Sequence, residues 1–406
     1  MLCRKLEKTG DSLSILGYGC MRFPTRKGAI DIVKTEEQIR YAISQGVNYF
    51  DTAFPYHGGA SESVLGKILS KGFRDKVKIA TKLPIYMVNT REDMDQFLNI
   101  QLSRLQTNRI DYYLLHNINN KATWDKMVSL GVLDFLNAAK RDGRIVNAGF
   151  SFHGGKALFK EVVEAYPWDV CQIQYNFLDT DNQAGTEGLK YAADKGLGII
   201  IMEPLRGGKL AGKVPKEVES LWNQSSQKRS AAEWSLRWIW NHPEIHVVLS
   251  GMNDDDHIRE NIRIASDATP GSFSPEELQL VEKVRDTYRR LMKVGCTGCN
   301  YCMPCPAGVN IPQCFERYNN KYLFHQKGKF DYYLWLGGFT SPPAYASLCK
   351  QCGKCEKLCP QHIPIRNELA NTAREMEGPL MKPILFFSRL GLTLMGKLQR
   401  KKKTLS

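Results

Sequence analysis

Residues 77–116 read VKIATKLPIYMVNTREDMDQFLNIQLSRLQTNRIDYYLLH, and this stretch decides the class of fold. It starts with the β-type run Val77–Thr81, continues through an amphipathic helical pattern at Arg91–Gln106, and ends with a second β-type run at Asp111–His116. Parallel strands need a long crossover between them, usually a helix, whereas tight turns join antiparallel strands. The stretch therefore predicts parallel strands covered by helices.

The same alternation extends outward from this unit, from about residue 14 to residue 265. Helical patterns such as Thr35–Ser44, Trp124–Arg141 and Ala184–Lys195 separate the β-type runs. The eight runs are Ser14–Gly19, Val47–Asp51, Val77–Thr81, Asp111–His116, Ile145–Phe150, Val170–Gln174, Gly198–Met202 and His246–Ser250. Eight strands alternating with helices favour a (β/α)8 TIM barrel. A doubly wound sheet is the alternative, but no GxGxxG follows the first run, which disfavours it.

The chain of 406 residues is long enough for more than one core. We predict the barrel over residues 1–265 and a bridging helix within residues 266–295, where Ser274-Pro275-Glu276-Glu277 supplies an N-cap and an acidic first turn. A cysteine-rich domain is predicted over residues 296–375, followed by an apolar helix and basic tail over residues 376–406. Peripheral contact of this tail with an anionic membrane is an alternative that we do not favour over a helix docked on the protein.

Composition narrows the class of protein. Hydrophobic residues make up 43% of the chain and charged residues 24%, as in ordinary soluble globular proteins. The net charge is +14, but basic residues outside the tail are interspersed with acids, which argues against nucleic-acid binding. No spanning apolar run and no signal peptide are recognised. Eight of the twelve cysteines lie in two closely spaced runs near the C-terminus. Closely spaced cysteines that act as thiolate ligands need a reducing compartment, so we predict a cytoplasmic location.

The two cysteine runs near the C-terminus have the spacing of iron–sulfur ligands. The first contains Cys296, Cys299, Cys302 and Cys305, and the second contains Cys349, Cys352, Cys355 and Cys359. Each run ends in Cys-Pro; the second matches the bacterial two-cluster spacing in full, and the first is one residue short before its last cysteine. Two zinc sites of four cysteines each are the alternative. Zinc binding, however, does not explain why both runs have this spacing and end in Cys-Pro.

Four ionisable side chains lie where barrel enzymes place their chemistry, at the carboxyl ends of strands. Asp51 ends the second run, Tyr56 lies five residues later, Lys82 follows the third run and His116 ends the fourth. Each residue alone has a structural explanation, such as a helix cap or a solvated charge. Chance poorly explains four such residues at successive strand ends, so we predict that they act together in catalysis.

The stretch Phe50-Asp51-Thr52-Ala53-Phe54-Pro55-Tyr56, followed by Gly59-Ala60-Ser61-Glu62, resembles the signature of the aldo-keto reductase family. The resemblance extends over roughly residues 4–265 and implies hydride transfer from NADPH or NADH to a small-molecule carbonyl substrate. It implies that Asp51, Tyr56, Lys82 and His116 form the catalytic tetrad. Tyr56 would be the general acid, helped by the Lys82 ammonium that Asp51 holds, and His116 would orient the carbonyl oxygen.

Further residues resemble the nucleotide site of that family. Ser151 and Gln172 correspond to residues that hold the nicotinamide carboxamide. The pyrophosphate loop corresponds to Glu203, Pro204, Leu205, Gly207 and Gly208, and the adenine end to Ser250, Gly251, His257, Glu260 and Asn261.

This nucleotide site departs from the family pattern at two places. Gly251 and His257 stand where many members place Lys and Arg against the ribose 2′-phosphate, and Asp254, Asp255 and Asp256 add negative charge. NADH is therefore plausible beside NADPH. Met202 stands where an aromatic side chain often stacks on the nicotinamide. An apolar substrate pocket is indicated by Phe54, Tyr86, Trp124 and Phe152.

The cysteine region resembles the mainly helical ferredoxin-like domain that is fused to a subset of these reductases. The resemblance implies two 4Fe-4S clusters, each taking its fourth ligand from the other run. One cluster would be held by Cys296, Cys299, Cys302 and Cys359, and the other by Cys349, Cys352, Cys355 and Cys305. Cys314 is an alternative ligand if the short spacing of the first run is strained.

Three functions are compatible with this combination. The first is an NAD(P)H-dependent oxidoreductase whose clusters exchange electrons with a flavin or a redox protein, since a hydride carries two electrons and a cluster one. The second is an ordinary carbonyl reductase with structural clusters. The third is a non-catalytic redox sensor or regulator, and the intact tetrad argues against it.

Overall fold

The computed structural model describes residues 1–324 and 342–378, together with Lys329, Tyr332, Tyr333 and Leu336. The chain divides into two compact units. The first consists of Met1–Lys213 and Ser225–Glu282, and the second of Val214–Gln224 and the chain from Lys283 onward. The predicted apolar helix and basic tail fall, beyond residue 378, outside the described residues.

The first unit is built on a closed barrel of eight parallel strands. Besides the barrel strands, the described chain has two small two-stranded sheets, β1–β2 and β4–β5. In chain order the strands are β1 (Cys3–Lys5), β2 (Ser12–Ser14), β3 (Leu16–Gly19), β4 (Thr25–Arg26), β5 (Ala29–Ile30), β6 (Tyr49–Asp51), β7 (Lys78–Leu83), β8 (Ile110–Ile118), β9 (Ile145–Phe152), β10 (Val170–Gln174), β11 (Gly198–Met202) and β12 (Ile245–Ser250). The barrel runs β3-β6-β7-β8-β9-β10-β11-β12 and closes from β12 onto β3. The predicted TIM barrel is confirmed, and the doubly wound sheet is excluded.

Each predicted β-type run overlaps one strand of the barrel. The strands are almost wholly buried, as expected of parallel strands that are covered on both faces. Leu6 and Leu13, from the antiparallel β1–β2 hairpin, pack with Tyr49 and Tyr112 in the barrel interior. The carboxyl ends of the eight strands share one rim, so side chains that end neighbouring strands are brought together there.

Helices alternate with the barrel strands in the first unit, and further helices belong to the second unit. In chain order they are α1 (Ile32–Ser44), α2 (Ala60–Leu69), α3 (Arg91–Leu105), α4 (Lys121–Ser129), α5 (Val132–Arg141), α6 (Lys156–Glu164), α7 (Gly185–Asp194), α8 (Lys216–Trp222), α9 (Ala231–Trp240), α10 (Asp255–Ile264), α11 (Pro275–Leu291), α12 (Ile311–Leu323), α13 (Lys354–Leu358) and α14 (Ile365–Met376). One long helix over Trp124–Arg141 is wrong, because Gly131 adopts φ 76° and separates α4 from α5. None of the helices in the described ranges has the length and apolar character needed to cross a membrane.

The predicted bridging helix corresponds to α11. Its N-terminus has the expected cap: the Glu277 amide donates to Ser274 Oγ at 3.2 Å, and the Ser274 amide donates to Glu277 Oε2 at 3.0 Å. In the second unit, α12 and α14 pack around an apolar core that includes Phe315 and Leu369. Cysteines of both runs lie against this core.

Candidate active site and cysteine cluster

A buried ion pair joins the ends of β6 and β7. The Lys82 ammonium donates to both carboxylate oxygens of Asp51 at 2.7 Å and to the Thr52 carbonyl at 2.8 Å. An ammonium has three donors, so Lys82 is fully hydrogen-bonded. Both side chains are almost completely buried, at 1% and 3% exposure. Burial raises the pKa of Asp51, while the Lys82 ammonium opposes that rise.

The other two predicted catalytic residues lie next to this ion pair. Lys82 Nζ lies over the Tyr56 ring, 5.3 Å from its centroid. The Tyr56 and His116 rings meet edge to face, with centroids 6.1 Å apart. Burial, followed by the Lys82 charge and His153, lowers the pKa of His116 well below its ordinary value, so His116 is neutral at pH 7. The structure thus brings all four side chains together.

The turn that carries Tyr56 has an uncommon backbone. His57, Gly58 and Gly59 follow Tyr56 with φ of 52°, 63° and 95°, and a non-glycine residue in this region is rare. His57 is held there because its Nε2 accepts the Phe23 amide at 2.9 Å and its ring stacks on the Phe23 ring at 5.6 Å. The loop after β3 thereby fixes the turn after β6.

A second buried layer supports Lys82 from behind. Glu62, which is fully buried, accepts hydrogen bonds from Thr81 Oγ1 at 2.7 Å and Gln101 Nε2 at 2.6 Å. Gln101 also donates to the Lys82 carbonyl at 3.0 Å. Arg104 completes the layer with a contact of 3.2 Å to Glu62. These bonds tie α2 and α3 to the end of β7 and hold the lysine backbone in place.

The predicted carboxamide residues lie side by side. Ser151 on β9 and Gln172 on β10 are register partners, and both are 2% exposed. Ser151 Oγ accepts the Asn117 amide at 2.8 Å. Gln172 Oε1 is buried and has no hydrogen-bond partner in the described part of the chain. Because buried acceptors are normally paired, this oxygen fits the N–H donors of a nicotinamide carboxamide.

The predicted pyrophosphate loop leaves β11 through another left-handed residue, Glu203, with φ 55°. It continues through Pro204 and Leu205 to Gly207 and Gly208, with φ of 70° and 92°. A backbone of this kind exposes amide groups to a phosphate without interference from side chains. The loop therefore suits its predicted role.

The predicted adenine end is held by its own hydrogen bonds. Asn261 Nδ2 donates to Ser250 Oγ at 3.0 Å, which joins α10 to the end of β12. Glu260 accepts Ser230 Oγ at 2.6 Å, and this bond ties its carboxylate to the N-cap of α9. His257 is exposed on α10.

The negative charge beside this region is partly offset. Asp255 accepts Lys34 Nζ at 2.7 Å and Gln38 Nε2 at 2.9 Å, and hydrogen bonds from these two side chains lower its pKa. Asp254 accepts the Asp256 amide at the N-cap of α10. The acidic trio is therefore less repulsive towards a phosphate than the sequence alone implies.

Arg22 was not predicted, and it lies between the two nucleotide loops. Its Nη1 is 3.4 Å from the Gly207 carbonyl. A β-carbon built on Gly251 would lie 3.2 Å from Arg22 Cδ, so the absence of a side chain at Gly251 makes room for the arginine. The stem of Arg22 thus passes the position where the usual cation is missing, and its guanidinium lies near Gly207. Its neighbours are distant in sequence, so no local pattern could have revealed it.

His153 was also not predicted. It follows β9, is 2% exposed, and its Nδ1 lies 3.1 Å from Gln183 Oε1. Its proximity contributes to the lowered pKa of His116. The only sequence signal was its place directly after a strand end, as for Lys82.

The aromatic residues suggested for the substrate pocket separate into two groups. Tyr86 is near the site, with its ring 6.1 Å from that of His116, and it is 53% exposed. Trp124 and Phe152 are buried in the core between barrel and helices. Phe54 packs against Phe97 and under the Arg104 guanidinium. Of the four, Tyr86 is the one placed to meet a substrate.

The first cysteine run gathers around one cavity. This cavity is lined by Cys296, Cys299, Cys302 and Cys359 together with apolar side chains such as Phe315 and Ile363. Burial raises the pKa of Cys302, and the neighbouring thiols of Cys296, Cys299 and Cys359 add to that rise. Within the described ranges no group of three or more His, Cys, Asp or Glu side chains is arranged to hold a single metal ion. A shared cavity walled by four thiols fits the donor set of a larger iron–sulfur centre.

The second run is arranged in the complementary way. Burial raises the pKa of Cys355 to about 11, and Cys349 and Cys305 are among the neighbours that raise it. Cys305 thus interacts electrostatically with Cys355, and it does so with Cys314 as well, which is compatible with the predicted exchange of fourth ligands. Cys314 is fully buried, donates to the Ala344 carbonyl at 3.6 Å and accepts Tyr332 OH at 3.7 Å.

Comparisons with known proteins agree with these observations. Residues 15–286 match the model of the aldo/keto reductase family, and residues 295–363 match that of a 4Fe-4S dicluster domain. An uncharacterized oxidoreductase, YrpG of Bacillus subtilis, is 30% identical over 305 residues, which cover 64% of this chain and 89% of that protein. L-galactose dehydrogenase of Arabidopsis thaliana is 26% identical, with 71% of this chain and 95% of that protein covered.

A solved structure supports the fold alone. The holo form of aldo-keto reductase AKR11C1 from Bacillus halodurans superposes with a TM-score of 0.59 at 24% identity, over 70% of this chain and 96% of that one. The closed barrel, its rim of ionisable residues and the cysteine unit define an NAD(P)H-dependent oxidoreductase with a 4Fe-4S domain. The chain belongs to the aldo/keto reductase family.

Proposed function

We propose that this protein reduces a small-molecule carbonyl substrate with hydride from NADPH or NADH, and that Tyr56 is the general acid. The observation that carries the proposal is the fully hydrogen-bonded Lys82 ammonium, buried with Asp51 and lying over the Tyr56 ring. A fixed cation in a buried site stabilises the negative charge that a tyrosine acquires as it loses its proton.

Each residue of the tetrad has a separate role. NADPH or NADH, when bound, would supply the hydride to the carbonyl carbon, and negative charge would develop on the carbonyl oxygen. Tyr56 transfers its phenolic proton to that oxygen and regains a proton from solvent. Neutral His116 donates a hydrogen bond to the same oxygen, and Asp51 holds the Lys82 ammonium in place. Ser151 and Gln172 orient the carboxamide.

The cysteine unit extends this proposal. The two runs hold two 4Fe-4S clusters, with Cys359 completing the first set and Cys305 the second, and the clusters exchange electrons with a flavin or a redox protein. The shared cavity and the placement of Cys305 beside Cys355 support these sets. Such thiolate centres require a reducing compartment, so we propose a cytoplasmic location. We propose no nucleic-acid partner and do not favour a membrane role for the tail.

The substitution Tyr56→Phe tests the reduction. It should lower kcat for a panel of aldehydes and ketones by roughly 10²–10⁴-fold, the usual contribution of a general acid, and leave nucleotide binding unchanged. Tyr86→Phe is the matched control, since its ring also meets His116, and it should keep most of the activity. Equal activity of the Tyr56 variant and the wild type would remove Tyr56 from this role.

A structural role for the clusters is the second candidate, and one observation favours it. Six of the eight cysteines pack against the apolar core of the second unit: Cys296, Cys302, Cys305, Cys349, Cys355 and Cys359. Anaerobic titration with NAD(P)H, with and without added flavin, separates the two roles. Bleaching of the cluster absorbance supports electron exchange. Unchanged absorbance, together with full carbonyl reduction after Cys352→Ser, supports the structural role.

A further inference from the structure

The two cysteine sets differ in their access to solvent. The first set lines a cavity with Ile311, Phe315 and Ile363, and all of its cysteines are at least partly buried. In the second set Cys352 is exposed, and so are the residues just before it, Lys350 and Gln351. Electron exchange between proteins falls steeply with distance, so the second set is the better placed of the two to meet a partner.

The surface around Cys352 carries excess positive charge. Lys350, Lys354 and Lys357 are exposed, and no carboxylate pairs with them in the part of the chain that the structure describes. The single acid between residues 346 and 366 is Glu356, which pairs with Arg366 at 2.9 Å. Three unneutralised lysines around an exposed cluster ligand attract an acidic partner and speed its approach.

Apolar side chains lie among these charges. Leu348 is 36% exposed and Leu358 is 48% exposed, on either side of the second cysteine triad. Protein interfaces commonly combine apolar contacts with surrounding polar groups. The apolar area of two leucines is small. An area of this size suits a transient protein complex better than insertion into a membrane.

We propose that these residues form a docking surface for an acidic, one-electron carrier protein. The surface, here called the lysine rim, consists of Leu348, Lys350, Cys352, Lys354, Lys357 and Leu358. The inference rests on the proposed electron exchange of the clusters. In each encounter one electron leaves the reduced carrier, which is oxidised, and enters the centre held by the second set, which is reduced. No atom or proton is transferred in this step.

The test uses the full chain with its clusters, under anaerobic conditions, and a reduced flavodoxin as the acidic probe. The variant Lys350→Gln/Lys354→Gln/Lys357→Gln removes the charge of the rim. Lys67→Gln/Lys190→Gln/Lys283→Gln is the control, because it removes the same charge from exposed sites outside the cysteine region. We expect the rim variant to bind flavodoxin and accept its electrons about tenfold more weakly and slowly at low salt, with a reduced salt dependence, since rim charges act on association. The control should behave like the wild type.

A small reductant separates failure of this inference from failure of the proposed electron exchange. If dithionite reduces the clusters of every variant and the rim variant still loses its flavodoxin response, the docking surface is supported. Equal responses of rim variant and control overturn it while the electron exchange stands. Clusters that dithionite cannot reduce overturn the electron exchange itself. Loss of binding to phosphatidylserine vesicles in the rim variant, with an unchanged flavodoxin response, would assign the rim to a membrane and overturn the proposal.

Discussion

Lys82 and Asp51 depend on each other for their burial. All three donors of the ammonium are used, and neither side chain has access to water that could replace its partner. Removing one member of such a pair leaves an uncompensated charge, which typically costs about 3–5 kcal/mol. We therefore expect Lys82→Met to lower the free energy of unfolding by that amount in urea titrations.

The double variant Lys82→Met/Asp51→Leu is the control for this prediction. It removes both charges, and replacing a buried ion pair by apolar side chains is often neutral. It should be more stable than Lys82→Met alone, although equally inactive. A double variant as unstable as the single one would show that the cost comes from packing and not from the orphaned carboxylate.

Arg22 is expected to contribute to nucleotide binding. Its guanidinium lies beside the Gly207 carbonyl and its aliphatic stem lies against Gly251, in a region where the resemblance places phosphates. Charge-assisted contacts to phosphate are stronger than neutral ones, and a tenfold change in Kd corresponds to about 1.4 kcal/mol. Arg22→Met should raise the Kd for NADPH about tenfold in fluorescence titrations, and Arg22→Lys should recover part of it.

Measuring the Kd of the Arg22 variants for NADH as well shows which phosphate Arg22 contacts. A larger effect on NADPH than on NADH places Arg22 at the 2′-phosphate, and equal effects place it at the pyrophosphate. An unchanged Kd for both nucleotides contradicts the prediction. The proposed catalysis by Tyr56 does not depend on this outcome.

Between β11 and β12 a side chain completes the hydrogen bonding of the barrel. The register shifts between Ile199 and Ile200, and the Ile199 amide donates to His246 Nδ1 at 3.1 Å. A protonated imidazole has no acceptor, so charging His246 breaks this bond. Burial, followed by the Arg4 charge, lowers the pKa of His246, whereas Glu244 and Glu7 oppose this. The strand contact is therefore sensitive to acid.

The sign of the pH dependence follows from the lowered pKa. Below an unfolded-state pKa of about 6.5, the unfolded chain binds a proton that the folded barrel excludes, so stability falls as pH falls, by at most about 1.4 kcal/mol per pH unit for this group. His246→Gln should flatten the stability profile between pH 6.5 and pH 5 in thermal or urea unfolding. The exposed His257→Gln is the control and should leave the slope unchanged. Parallel profiles for His246→Gln and the wild type would refute the prediction.

The strands and helices were predictable because the apolar residues within each one follow a local pattern that reflects its burial. Runs such as Gly198–Met202 are apolar and short, and they coincide with strands. The break at Gly131 was missed because the helical pattern continues on both sides of a residue whose φ is set by the chain reversal. Arg22 and His153 were missed because their neighbours, Gly251 and Gln183, lie far away in sequence. The spacing of residues along the chain shows which side chains lie at the ends of strands. It does not show which residues of distant loops come into contact.

At the level of the whole molecule, the two units require different conditions for their chemistry. The barrel site works by excluding water around Lys82 and Asp51, which are almost fully buried. The second cysteine set leaves Cys352 exposed to solvent. Hydride transfer benefits from a dry, preorganised site, whereas a one-electron centre benefits from access to a partner. The proposed hydride transfer and the proposed electron exchange would therefore each take place in the unit whose exposure suits it.

The proposed exchange of fourth ligands would connect the two cysteine runs, and it can be tested on the whole chain. Cys359 belongs to the second run but lines the cavity of the first, and Cys305 belongs to the first run but interacts electrostatically with Cys355. Cys359→Ser should therefore resemble Cys299→Ser in its EPR spectrum and iron content, and Cys305→Ser should resemble Cys352→Ser. Each variant should retain about half of the iron if the clusters assemble independently. If Cys305→Ser instead pairs with Cys299→Ser, each run holds its own cluster, and the short spacing of the first run does not divert its last cysteine.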